Sequence, residues 1–272
     1  MITQPSSEQL KALSTTERIG YRLADWCNRK IKTPLIWWNY SFMNALIWLC
    51  LGRRLRIHQL ENIRTLGPDA RIVMAANHRS FFDFFIVSWI TYNKTNLPKR
   101  IFFPVRSRFF YDSLIGIPFT FLMGGFAMFP PIMRSPEKKP FNRYAVNRLC
   151  NELDTQGTLV GFHPEGTRNK GNDPYVFLPT RPGIGEVILR SQRAVSLSIF
   201  VIGVTNGFFT EMYRNWFKSK EFPIDVWLGS PRDFSTFRNQ PGESNQYLTI
   251  ANQTMQDIMS LAAQHRSFIG QS

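Results

Sequence analysis

Two short runs of residues combine types that could do chemistry. The first is Asn77-His78-Arg79-Ser80-Phe81-Phe82-Asp83, which sets an imidazole and a carboxylate five positions apart. Histidine is the side chain suited to taking a proton near neutral pH. A carboxylate on its far ring nitrogen fixes the tautomer and stabilises the imidazolium that forms. Such a pair fits a reaction in which a substrate hydroxyl loses its proton as its oxygen attacks a thioester carbonyl. Residues i and i+5 of a regular helix do not face each other. The pair therefore forms only if His78 lies at or before the first turn and the chain folds back over Asp83. The plainer alternative is an ordinary helix start, with Asn77 as cap and Asp83 solvated.

The second run is Phe162-His163-Pro164-Glu165-Gly166-Thr167-Arg168. Proline removes a backbone donor and glycine permits close approach, so the run reads as a rigid turn that aims Glu165 and Arg168 in set directions. Arg168 can grip a phosphate with a two-pronged fork. Glu165 can accept from a substrate hydroxyl or brace that arginine. The plainer alternative here is a surface turn.

Together, Asn-His-x-Ser-x-x-Asp and a Pro-Glu-Gly-Thr-Arg block some eighty residues later resemble the glycerolipid acyltransferase family, over about residues 70–205. The resemblance implies an α/β fold and an acyl-CoA or acyl-acyl carrier protein donor. It also implies monotopic attachment to a membrane. It makes His78 the catalytic base, Asp83 its partner, and Glu165, Gly166, Thr167 and Arg168 the acceptor-binding block. No metal and no redox cofactor are expected. Of the acceptors in the family, the lysophospholipid 1-acylglycerol-3-phosphate suits a compact surface-bound enzyme; glycerol-3-phosphate or another lysolipid is the alternative. This chain departs from the family pattern in places. His163 stands where phenylalanine is usual, as a packing residue or a substrate contact. Arg134, after Gly125 and a stretched apolar run, is the best match to an acceptor-phosphate arginine. Val195-Ser196-Leu197-Ser198-Ile199 lacks the usual proline, and Arg181 ahead of Gly183 fits a basic position loosely.

Elements that could hold these runs follow from periodicity. Residues 71–76, 101–105, 158–162, 195–204 and 224–228 read as strands, and 81–92, 141–155, 183–192 and about 242–263 as helices. The alternation predicts an α/β fold, a mostly parallel sheet covered by helices. Leu114–Met133 carries no charge over twenty residues, but its prolines and glycines break a continuous helix. It is expected to be buried or membrane-dipping and to line a pocket.

Residues 8–34 read as an amphipathic helix with Leu10, Leu13, Ile19, Leu23, Trp26 and Ile31 as its apolar positions. Residues 35–51 are dense in Trp37, Trp38, Tyr40, Phe42 and Trp48 and flanked by Lys30, Lys32, Arg53, Arg54 and Arg56. That mixture suits an interfacial helix, with a buried core helix or a span as alternatives. Residues 1–56 are thus expected to form an N-terminal helical membrane-interface segment, ahead of an α/β domain over 57–272.

The chain carries 33 Lys and Arg against 19 Asp and Glu, a net charge of +14, which draws it to polyanions. Aromatics make up 14% of the 272 residues, which turns that choice from nucleic acid toward an anionic membrane surface. The remaining cations Arg106, Arg108, Lys138, Lys139, Arg190 and Arg193 read as a solvated face, a share of them meeting headgroups or donor phosphates. Cys27, Cys50 and Cys150 are scattered, so no zinc site or disulfide framework is indicated. With scattered cysteines that suit a reducing compartment and a polar start without an apolar signal region, the expected location is the cytoplasmic face of the inner or plasma membrane.

Overall fold

A computed structural model describes residues 4–106, 110–238 and 244–270. The chain opens with three helices, α1 (Ser7–Lys11), α2 (Thr15–Lys30) and α3 (Lys32–Cys50), and enters the sheet at β1 (Leu55–His58). Then follow β2 (Arg71–Ala76), α4 (Asp83–Asn93), β3 (Arg100–Phe102), β4 (Val105–Arg106), α5 (Gly116–Gly124), β5 (Pro131–Ile132) and α6 (Lys139–Leu153). The chain continues with β6 (Thr158–Phe162), α7 (Gly183–Arg190), β7 (Val195–Ile202), α8 (Phe208–Phe217), β8 (Ile224–Leu228), α9 (Ser235–Arg238) and α10 (Ser244–Gly270).

Six strands form one sheet in the order β1-β8-β7-β2-β6-β3, parallel throughout except where β7 meets β8. Alternation along the strands divides the core in two. Val73 and Ala75 of β2 face a cluster with Phe141, Leu149, Ile184 and Ile258. Ile72, Met74 and Ala76 face the opposite cluster, with Ile47, Phe85 and Ile90. Gly185 lets α7 press on α10, since a Cβ there would come within 1.9 Å of the Tyr247 carbonyl.

The single helix expected over 8–34 is instead broken twice. A capping box of Ser6 with Gln9 starts α1, one of Ser14 with Glu17 restarts the helix as α2 by satisfying its first amides, and the second break falls at Ile31 without a side-chain cap. The apolar stripe assigned to this region is split. Leu13 is buried, and Leu10 and Ile31 pack partly buried against the core, but Ile19, Leu23 and Trp26 point outward while Tyr21, Ala24, Cys27 and Asn28 are buried. Tyr21 and Tyr144 share a 2.7 Å hydroxyl hydrogen bond, and Asn28 Nδ2 donates to the Phe126 carbonyl at 3.0 Å.

Helix α3 has two characters. Leu35, Asn39, Met43, Leu46, Ile47 and Cys50 are buried, and Trp37, Trp38 and Trp48 are exposed. Among the described residues no helix is long and apolar enough to cross a membrane. Two of the cations expected to flank an interface are buried. Lys32 Nζ donates to Asn28 Oδ1 at 2.8 Å and to the Ile101 carbonyl at 2.9 Å. Burial pushes its ammonium down to about 7. Arg54 pairs with Glu211 at 2.5 Å. The boundary expected between residues 56 and 57 falls inside β1, and the three leading helices share both core clusters with the sheet. The uncharged run 114–133 folds as α5, a turn with positive φ at Gly125 and Phe126, and β5. Gly242, expected to open the last helix, and Arg108 lie outside the described residues.

Candidate active site

Strands β2 and β6 are parallel neighbours with Ala75 opposite Phe162, so the two motifs leave the same edge of the sheet side by side. Ligands in open α/β sheets bind at that edge, beyond the carboxyl ends of the strands. After β2 the chain does not pass straight into a helix. Asn77 turns inward and bonds β7 twice, donating to the Val201 carbonyl at 2.8 Å and accepting from its N–H at 2.7 Å. The expected role of Asn77 as helix cap is therefore replaced by a stitch between strands. Ser80 Oγ donates to the Thr205 carbonyl at 2.6 Å.

Thus held, residues 78–82 fold back over the start of α4. Asp83, its first residue and fully buried, accepts through Oδ2 from the amides of Arg79 and Ser80 at 2.8 Å each. The same oxygen accepts a hydrogen bond from His78 Nδ1 at 3.1 Å. With Nδ1 carrying the proton, His78 Nε2 presents its lone pair, and among the described residues nothing bonds it. Burial, then Arg168 and Arg106, hold the imidazole well below its ordinary range, so it stands neutral. Burial raises the Asp83 carboxyl to about 6 against the pull of its amide donors.

His163 lies flat on this base. The two imidazoles stack with centroids 3.9 Å apart and 3° between planes. His163 Nδ1 donates to the Ala76 carbonyl at 2.9 Å, which fixes its ring, and Phe103 closes its other side. It is a packing partner of the base and also lines the cavity described below.

The second motif is a turn that grips the first. Gly166 has φ +64°, and a Cβ there would lie 3.0 Å from Arg181 Cγ. The buried Glu165 carboxylate accepts from the His78 amide at 2.7 Å and from the Leu178 amide at 3.0 Å. Among the described residues Glu165 makes no bond to Arg168, and it is not among the residues that line the cavity. It anchors the backbone under His78. Asn169 N–H donates to the His78 carbonyl at 2.7 Å, a second clasp between the motifs.

A cavity of about 720 Å³ is lined by His78. Its lining includes five cations, Arg106, Arg134, Arg168, Lys170 and Arg181, with Gly166 and Thr167. It also includes the apolar side chains Phe84, Phe103, Phe110, Met128, Leu149 and Ile184. Among the described residues no acidic side chain lines it. The crowding shows on Arg106, whose pKa is lowered by burial and then by Arg134 and Arg181. Arg168 donates to Asn206 Oδ1 at 3.0 Å, and that oxygen also accepts from the Phe81 amide at 2.9 Å.

Of the residues expected from sequence, His78, Arg134, Gly166, Thr167 and Arg168 meet at the cavity. Asp83 and Glu165 stand behind it. Met128 and Ile132 of the uncharged run contribute to its wall. Arg106 was expected on a solvated face and lies inside. Lys138 and Arg190 instead pair with Glu17 and Glu186, at 2.8 and 2.9 Å. Asn206 and Lys170 carried no signal in the sequence, whereas the position of Arg181 before Gly183 was one.

The model of a family described as Acyltransferase matches residues 54–204, more than half of the chain. The chain belongs to the acyltransferase family. That is the glycerolipid acyltransferase family to which the two motifs pointed. The match takes in β1 to β7 and both motifs, so the cavity of this acyltransferase is built almost wholly from the matched region. A search of curated proteins finds no match.

Proposed function

We propose that this acyltransferase moves a fatty acyl group from acyl-CoA or an acyl-acyl carrier protein to the free hydroxyl of 1-acylglycerol-3-phosphate. The product is phosphatidic acid, and the step belongs to phospholipid biosynthesis. One observation carries the reading. A neutral imidazole backed by a carboxylate lines a cavity whose lining combines guanidinium groups, without acid partners among the described residues, and hydrocarbon. An acceptor that carries both a phosphate and an acyl chain complements both kinds of lining.

In this mechanism His78 Nε2 takes the acceptor hydroxyl proton as that oxygen adds to the thioester carbonyl. Asp83 stabilises the imidazolium through Nδ1. The tetrahedral intermediate then collapses with loss of the thiolate, and the imidazolium returns the proton to give free thiol. Arg168 and Arg134 hold the phosphate, helped by Arg106 and Arg181. The enzyme works on an anionic membrane, at the cytoplasmic face of the inner or plasma membrane, where its acceptor is dissolved.

The test is thiol release from acyl-CoA and from acyl-acyl carrier protein with a panel of acceptors. Lysophosphatidate should be preferred to the same lysolipid lacking its phosphate. Equal rates on the two would sink the phosphate reading, and preference for glycerol-3-phosphate would move the assignment to the earlier acylation.

A further inference from the structure

Helix α8 has its polarity turned inside out. Its buried residues are Glu211 and Asn215, whereas Phe209, Tyr213 and Phe217, spaced four apart, are 76%, 52% and 76% exposed. The inward side chains explain the orientation. Glu211 accepts from Arg54 Nη1 at 2.5 Å and from the Thr205 hydroxyl at 2.7 Å. Asn215 Nδ2 donates to the carbonyls of Trp48 and Leu49 at 3.0 and 3.1 Å, and its Oδ1 accepts from the Arg53 amide at 3.0 Å. These bonds satisfy the end of α3, whose last carbonyls lack helical partners. A polar lock thus holds the rings outward, away from the core.

The aromatic face continues across the seam with α3. Trp216 meets Trp48 edge-on at 5.1 Å, and Trp48 is itself 64% exposed. Cations rim it. Arg53 lies over Trp216 at 5.3 Å, Arg214 over Phe222 at 4.4 Å, and Lys218 beside them pairs with Glu221 at 2.9 Å. Outward rings at helical spacing among arginine and lysine are the makeup of a helix that lies in a lipid interface. Arg53, Arg214 and Lys218 outnumber the acids Glu211 and Glu221 beside them, an excess that suits an anionic occupant better than a second copy of the same basic face.

We infer that the outward face of α8, with Trp48 beside it, docks on an anionic lipid surface. Its place gives the docking a use. Helix α8 begins two residues after Asn206, which holds Arg168 and the Phe81 amide, so the docked face borders the cavity rim. A lipid acceptor leaving the bilayer there meets the guanidinium wall first. Only this last step rests on the lysophosphatidate reading; the docking rests on α8.

The experiment uses the full chain and vesicles of phosphatidylcholine, with or without phosphatidylglycerol. Wild type should float with the anionic vesicles, and less so in high salt, which screens surface charge. The triple variant Phe209→Gln, Tyr213→Gln, Phe217→Gln keeps helix-forming residues and should melt as wild type does. Its partitioning should fall at least about tenfold, the least expected from removing three exposed rings. Its turnover on a short-chain, water-soluble lysophosphatidate should be unchanged. Undiminished flotation of the triple variant overturns the proposal. So does a wild-type dimer that the variant converts to monomer while still floating. Should the triple variant fail to fold, Phe217→Gln alone must weaken flotation, and its failure to do so is equally fatal. Normal, ring-dependent flotation with no turnover on any acceptor supports the docking and discards the lysophosphatidate reading, so the two fail separately.

Discussion

Two sets of arginines in this molecule are put to opposite uses. Arg54 and Arg148 are buried and paired with acids: Arg54 with Glu211 at 2.5 Å, Arg148 with Asp25 at 2.5 Å and Glu152 at 2.7 Å. They tie elements together, Arg54 joining the entry to β1 with α8, and Arg148 joining α6 with α2. At the cavity, Arg106, Arg134, Arg168 and Arg181 have no carboxylate partner among the described residues, and the pKa of Arg106 is lowered by burial first and then by Arg134 and Arg181. A paired guanidinium is framework. A cluster of guanidinium groups at a cavity creates a field that attracts anions, and the surrounding fold holds it together against mutual repulsion.

The sharpest challenge to this contrast comes from the base between the two sets. His78→Ala should lower kcat by roughly 10²- to 10⁴-fold with little change in acceptor KM, measured by thiol release. Asp83→Asn should be similarly severe. In wild type, activity should fall as pH drops through about 6, because the carboxylate must be ionised to steady the imidazolium. That acid limb should be missing from the residual activity of Asp83→Asn, recorded as a pH profile.

Next in size, Arg54→Ala should cost about 3–5 kcal/mol in urea unfolding, since it strands the buried Glu211. Arg134→Ala, at the cavity, should cost nothing comparable and relieves repulsion on Arg106. If the two variants lost equal stability, the distinction between framework and binding arginines would fail.

Arg168→Lys keeps the charge and loses the planar fork. Acceptor KM should rise about tenfold, the equivalent of one charge-assisted hydrogen bond of about 1.5 kcal/mol, with the donor KM unmoved. Steady-state kinetics with each substrate varied in turn decides it. The smallest effect concerns the stacked pair. His163→Ala should reduce kcat severalfold without touching either KM, and His163→Phe should restore most of it by supplying another flat ring. A phenylalanine variant as poor as the alanine one would mean that His163 acts through its nitrogens.

How far the sequence was legible depended on how far each element obeys ordinary polarity. The strands 158–162 and 224–228 have the bounds read from sequence, because mostly apolar runs start there directly after Gly157 and Pro223. The helix over 139–153 was nearly as plain, with Phe141, Ala145, Leu149 and Leu153 all buried on one face. Helix α8 was unreadable for the opposite reason: Glu211 and Asn215 face in while rings face out, the reverse of an amphipathic pattern. The break before α2 was signalled by Ser14 and Glu17 but was masked by apolar residues that continue the period on the exposed side. At the site, residue types named the reacting groups. They could not assign Glu165, whose partners are two backbone amides, nor find Asn206, whose partners come from 125 and 38 residues earlier.

The pairing of β2 with β6 also has a kinetic consequence. His78 and His163 are stacked only because Ala75 sits opposite Phe162, and a slip of one residue would turn every side chain of one strand to the other face. The clasp from Glu165 to the His78 amide closes a loop of 87 residues. Contacts so distant in sequence form late and slowly, since the chain must surrender its freedom before they reward it. No isolated hairpin or helix pair of this chain can therefore assemble the reacting groups. During refolding, turnover should reappear only with the completed sheet, which makes activity a gauge of strand registration.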